Sequence, residues 1–171
     1  MSKVQSILLF ATAITVLIGL SLQAYYWPQM PARMATHFGM NGQPNGWMSR
    51  SVATLFQCVL QAVMPFVFIG IAWTLPRFPN SMINLPNKEY WLAPERRAAT
   101  LGHMTNMLMG ISLAVSIFIA VIAHLVFEAN RRNEPLPTTP FVVLLILFLA
   151  TVFSITGYSI WTLRLPRRAS G

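Results

Sequence analysis

Four apolar runs, 4–26, 52–75, 103–127 and 140–163, occupy most of this chain, and none contains Lys, Arg, Asp or Glu. Each holds about 20 or more residues, which at ~1.5 Å per residue crosses a hydrocarbon core of ~30 Å. A water-facing helix of that length would show a polar stripe, and these runs show none. The expectation is therefore an all-α, polytopic membrane protein with four transmembrane helices in an antiparallel bundle. The whole chain, residues 1–171, reads as one membrane domain with an outer loop at 27–51 and a cytoplasmic loop at 76–102.

The first run follows Lys3 and could be read as a secretory leader. It is longer than the 7–15-residue core of such a segment, and Leu22-Gln23-Ala24 is a poor small-x-small cleavage site. Tyr25, Tyr26 and Trp27 follow at once and read as an aromatic belt at the membrane interface. The run is taken as a true span.

Charge sets the expected orientation. Eight cations (Lys3, Arg77, Lys88, Arg96, Arg97, Arg164, Arg167 and Arg168) fall on one side, and four (Arg33, Arg50, Arg131 and Arg132) on the other. Positive loops prefer the cytoplasm, which places both termini and the middle loop inside. The net charge of +8 would suggest nucleic acid in a soluble chain. Here the cations flank spans, so anionic headgroups are the expected partner, with Lys88, Arg96 and Arg97 as the cytoplasmic contact to lipid or to a partner protein. The single Cys58 lies inside the second run and forms no metal pair.

Within the spans, Gln57 and Gln61 are four residues apart and share a face. Amides in lipid seek partners on neighbouring helices. Ser112, Ser116, Ala120, His124 and Glu128 recur every four residues and read as a helix-packing seam. Pro94 suits a first helical turn and Glu95 favours its positive end. The third helix should therefore start near Pro94 and run to about Glu128.

The outer loop is the most distinctive segment. Asn41-Gly42 and Asn45-Gly46 are turn dipeptides, and Pro28, Pro31 and Pro44 stiffen the backbone. A compact, ordered loop on the membrane surface is expected. If the third helix runs outward, His124 and Glu128 reach the same side as His37. Those three define a candidate metal site or pH-sensitive latch, set against a plain hydrogen bond at a helix end. No HExxH, GxSxG or phosphate-binding glycine loop is present. No catalytic residue and no cofactor are therefore assigned.

His37-Phe38-Gly39, then Gly42-x-Pro44-x-Gly46-Trp47 and Ser49-Arg50, preceded by Met30-Pro31, resembles the signature of the membrane family catalogued as domain of unknown function 1648. Met30 stands where that family has Leu, and Arg50 where it has Lys. The segment 85–97 is also similar to a cytoplasmic stretch of the family. The resemblance implies a bacterial cytoplasmic membrane location. It also implies a link to immunity membrane proteins that protect bacilli against a sporulation-delaying toxin, which carry further spans. On this basis His37, Phe38, Gly39, Gly42, Pro44, Gly46 and Trp47 form a candidate ligand-binding or structural motif. The function expected is non-enzymatic: binding or sensing of an extracellular ligand or toxin. The alternatives are a transport component or accessory subunit, acting with a membrane protein partner or as a homo-oligomer, and a metal-dependent membrane hydrolase.

Overall fold

The computed structural model describes residues 1–165; Arg167 and Arg168 lie outside the described residues. The chain runs α1 (Lys3–Tyr26), β1 (Arg33–Phe38), β2 (Pro44–Ser49), α2 (Arg50–Thr74), a short α3 (Lys88–Trp91), α4 (Pro94–Arg132) and α5 (Thr138–Thr162). Single 3₁₀ turns lie at Trp27–Gln29, Leu75–Arg77 and Asn80–Met82. Four of the helices are long and apolar enough to cross a membrane.

Local chemistry fixes the helix ends. Ser2 and Gln5 close a capping box on α1. Ser49 ends β2 and also caps α2, its hydroxyl accepting from the Val52 N–H. Pro65 lies inside α2, which continues through it as helix. Pro94 and Glu95 open α4, as the sequence predicts, and Arg131 and Arg132 favour its negative end. Asn133 stops α4 in the left-handed region at φ 54°, ahead of Pro135. At 39 residues, α4 is about 58 Å long, well beyond the ~30 Å hydrocarbon core.

The long α4 is the spine, packed against α1, α2 and α5. Along it, Thr105 meets Ala72, Ser112 meets Pro65 and Ser116 meets Gln61, so α2 descends as α4 rises. Tyr26, at the end of α1, reaches Glu128 near the end of α4. The Ser112–Ser116–Ala120 seam is buried as expected. Gln61, fully buried, donates from Nε2 to Ser116 Oγ at 3.2 Å and lies against Gly19 of α1. Helix α5 packs on α4, and Ser159 is its one buried residue.

Two apolar clusters close the ends of the bundle. Tyr26, Met30, Met34, Ala53, Ala123 and Phe127 form one, beneath the strands. The other joins Leu75, Ile83, Leu85, Leu92, Leu101 and Leu163, and it seats the connection between α2 and α4.

The strands correct the all-α expectation. Segment 27–51 is built around an antiparallel hairpin in which Arg33 pairs with Ser49, Met34 with Met48, Ala35 with Trp47, His37 with Gly46 and Phe38 with Pro44. An irregularity between Ala35 and Phe38 breaks the register. A two-stranded ribbon is marginal alone. Here Met34 is buried in the core below, and the ribbon is tied to α4 and to the α4–α5 connection.

Candidate functional site

The hairpin is docked by three sets of contacts. Asn130 on α4 acts as a substitute strand partner for Ala35. Its Oδ1 accepts from the Ala35 N–H at 2.7 Å, and its Nδ2 donates to the Ala35 carbonyl at 2.9 Å. At the tip, the Leu136 N–H donates to the Gly42 carbonyl at 2.9 Å. Gly42 has φ +77°, and a Cβ there would lie 2.3 Å from the Leu136 carbonyl oxygen. Beneath, Met34 is buried against Tyr26 and Phe127. Gly42 is thus a position of close approach. Gly46, opposite His37, is another, since a Cβ there would lie 2.9 Å from His37 Cβ.

Asn130 gives a direct test of this docking. Asn130→Ala should leave both polar groups of the half-closed Ala35 backbone without a side-chain partner. The expected cost to hairpin docking is about 2–4 kcal/mol. Asn130→Asp should recover only part of it, because a carboxylate accepts from the N–H but cannot donate to the carbonyl. Hydrogen exchange of the 33–49 amides reads this out: equal protection in both variants and the parent would discard the substitute-strand role.

Docking the hairpin forms a pocket of about 450 Å³ between β1, the later turns of α4 and the start of α5. Phe38, Ile122, Leu125, Leu136, Phe141 and Val142 give it an apolar lining, with Thr36, His37 and Thr138 as polar groups. His37 Nδ1 is hydrogen-bonded to Asn45 Oδ1. Of the motif residues, His37, Phe38 and Gly39 line this pocket. Pro44 and Trp47 lie on the other side of the ribbon with Arg33, whose guanidinium stands 5.7 Å from the Trp47 ring centre.

The proposed metal cluster of His37, His124 and Glu128 does not form. Among the described residues, no group of three or more His, Cys, Asp or Glu could hold a metal ion. The reason is the hairpin register, which turns His37 to Asn45, while Tyr26 takes the place beside the other two. The Tyr26 hydroxyl donates to Glu128 Oε1 at 2.6 Å. Its single proton is then committed, so at the 2.9 Å contact its oxygen accepts from His124 Nδ1–H. Glu128 Oε2 accepts from Arg131 at 2.8 Å and Arg132 at 3.0 Å. Both carboxylate oxygens are thus engaged in a helix-end lock. Tyr26 is also stacked on Phe127 and buried, so only Tyr25 and Trp27 keep the exposed placement expected of an aromatic belt.

At the opposite end, Lys88, Arg96 and Arg97 each hold a backbone carbonyl of the segment between α2 and α4. Lys88 Nζ donates to the Ser81 carbonyl at 3.4 Å, and Arg96 Nε to the Tyr90 carbonyl at 2.7 Å. Arg97 Nη2 reaches the Phe78 carbonyl at 2.7 Å. Nothing in the sequence marks Asn130 or Leu136 as docking residues. Both act through backbone pairing, for which an isolated Asn or Leu gives no signal.

Four span-length helices carrying an ordered β-hairpin at one end define a small multi-pass membrane protein with an end-cap module. Residues 14–62 match the family described as Domain of unknown function (DUF1648), a stretch that takes in the later turns of α1, the hairpin and the first half of α2. The matched stretch contains the loop motif that carries the resemblance. No curated protein and no solved structure is significantly similar to the chain.

Proposed function

We propose that this is a non-enzymatic membrane protein whose hairpin-end pocket binds an amphipathic ligand from outside the cell. The observation that carries the reading is the pocket of about 450 Å³ beneath the His37-Phe38-Gly39 segment. Its size lies within the ~300–1,000 Å³ of small-ligand sites, and an apolar wall with a few polar groups is their usual composition. The charge distribution supports an up-and-down bundle with both termini cytoplasmic, which turns the hairpin outward. The family resemblance favours a bacterial cytoplasmic membrane and, among ligands, a toxin peptide offering an apolar side chain.

The transport reading draws less support. It needs an open polar path through Gln57, Gln61, Ser112 and Ser116. Gln61, Ser112 and Ser116 are fully buried, and each makes an interhelical hydrogen bond.

Photolabelling with an alkyl diazirine tests the binding reading. Label should concentrate on peptides containing Phe38 and Phe141. Val142→Trp, which fills the pocket from the exposed side of α5, should lower that labelling roughly tenfold. Uniform labelling along α5, unchanged by the substitution, would count against a pocket ligand.

A further inference from the structure

At the end of the bundle away from the hairpin, a groove of about 690 Å³ lies between the start of α1, the end of α2 and the first turns of α4. Leu9, Ile69, Leu101 and Met109 are among its apolar walls, and Arg77 and Arg97 stand at its mouth. We infer that this groove holds one anionic phospholipid, with the phosphate at Arg77 and Arg97 and an acyl chain lying along α4. The inference is independent of the hairpin pocket and rests on the membrane-spanning reading of the helices.

Charge complementarity is the first argument. Arg97 is clamped by neutral acceptors: its Nε donates to Asn80 Oδ1 at 2.9 Å, Nη1 to the Pro76 carbonyl at 3.3 Å and Nη2 to the Phe78 carbonyl at 2.7 Å. Three of its five N–H groups are engaged, leaving two for a ligand. Arg77 follows Pro76 directly. It donates from Nη1 to the Trp73 carbonyl at 2.8 Å and stacks 4.4 Å from the Trp73 ring centre. Among the described residues the ion pairs all involve Glu128, at the far end of the bundle. The two guanidiniums thus line one groove, are each held by neutral acceptors, and have no carboxylate partner among the described residues. A phosphate supplies the missing counter-charge with matching geometry.

The shape of the groove selects the source of that phosphate. Arg97, Leu101, Thr105 and Met109 follow one another at helical steps of four on the α4 wall. From Arg97 to Met109 is about 18 Å along the axis. Half of a ~30 Å hydrocarbon core is ~15 Å. The apolar part therefore has the length of one leaflet's acyl chain, with the cations at headgroup level. A free phosphate would satisfy the mouth and leave the groove open.

Native mass spectrometry of the full chain in mild detergent tests this. Phosphatidylglycerol and phosphatidylcholine of identical chains are titrated separately, and phosphatidylglycerol is then challenged with inorganic phosphate. The wild type should retain phosphatidylglycerol roughly tenfold more tightly. Arg77→Gln should cut that preference about fivefold. Gly102 lines the groove, and a Cβ there would meet nothing within 4 Å. Gly102→Phe should therefore project a ring into the chain site, and adducts of both lipids should fall together, with thermal unfolding compared against Gly102→Ala to show that the bundle remains folded. Equal retention of the two lipids by the wild type would overturn the proposal. So would full retention in Gly102→Phe, or displacement of the lipid by inorganic phosphate.

Discussion

Gly42→Ala is expected to release the hairpin tip from the bundle. At φ +77° an L side chain is strained by about 1–2 kcal/mol. The added Cβ would also stand 2.3 Å from the Leu136 carbonyl oxygen, a backbone atom that has no rotamer through which to retreat. Relief requires the tip and the α4–α5 connection to move apart, which breaks the Leu136–Gly42 hydrogen bond. The combined cost is about 2–5 kcal/mol. Because Leu136 also lines the pocket, diazirine labelling of Phe38 and Phe141 should fall with the exchange protection of residues 39–43. The transmembrane helices should keep theirs. If tip protection and labelling both stay at parent levels, Gly42 is not the keystone of the docked tip.

Gly19→Val should loosen the bundle itself. A Cβ at position 19 would sit 2.5 Å from Gln61 Cδ, and Gln61 is 0% exposed, wedged between α1 and the Ser116 turn of α4. The amide cannot shift without losing its contacts to Ser116 and to the Thr15 carbonyl. Overpacking and lost interhelical bonds together amount to about 2–4 kcal/mol. The clash is with one side chain, so Gly19→Ala combined with Gln61→Ala should be less damaging than the two single changes summed. Gly70→Ala, where a Cβ would meet nothing within 4 Å, is the matched control and should be close to neutral. Thermal unfolding in detergent distinguishes the cases; additive losses in the double variant would remove the Gly19–Gln61 contact as the cause.

The helices were legible because lipid demands one thing of a span, a long uncharged run, and that demand is written residue by residue. The start of α4 was legible for a local reason, Pro94 and Glu95 in its first turn. The interhelical role of Gln61 followed from the cost of an unpaired amide in lipid. The strands were not legible. Segment 44–49 is Pro-Asn-Gly-Trp-Met-Ser, poor in β-branched residues and without clean alternation. The Asn41-Gly42 turn was visible, yet the ribbon it joins is held by α4 and Leu136, far away in sequence. The same distance explains the candidate site. Placing His37 beside His124 and Glu128 was sound at the level of which end each occupies. Which way His37 turns depends on pairing with Gly46, and the seat beside Glu128 belongs to Tyr26, which its neighbours had marked as an interface residue.

The ties from the hairpin to Asn130 and Leu136 also order events in time. Residues 33–49 leave the ribosome well before position 130, and at ~5–20 residues per second the interval is on the order of 5–20 s. Throughout it the ribbon has no Asn130 to complete its edge and no Leu136 to hold its tip. The hairpin at the centre of the family match is therefore among the first parts to be made, yet it can dock only after the end of α4 and the α4–α5 connection have emerged.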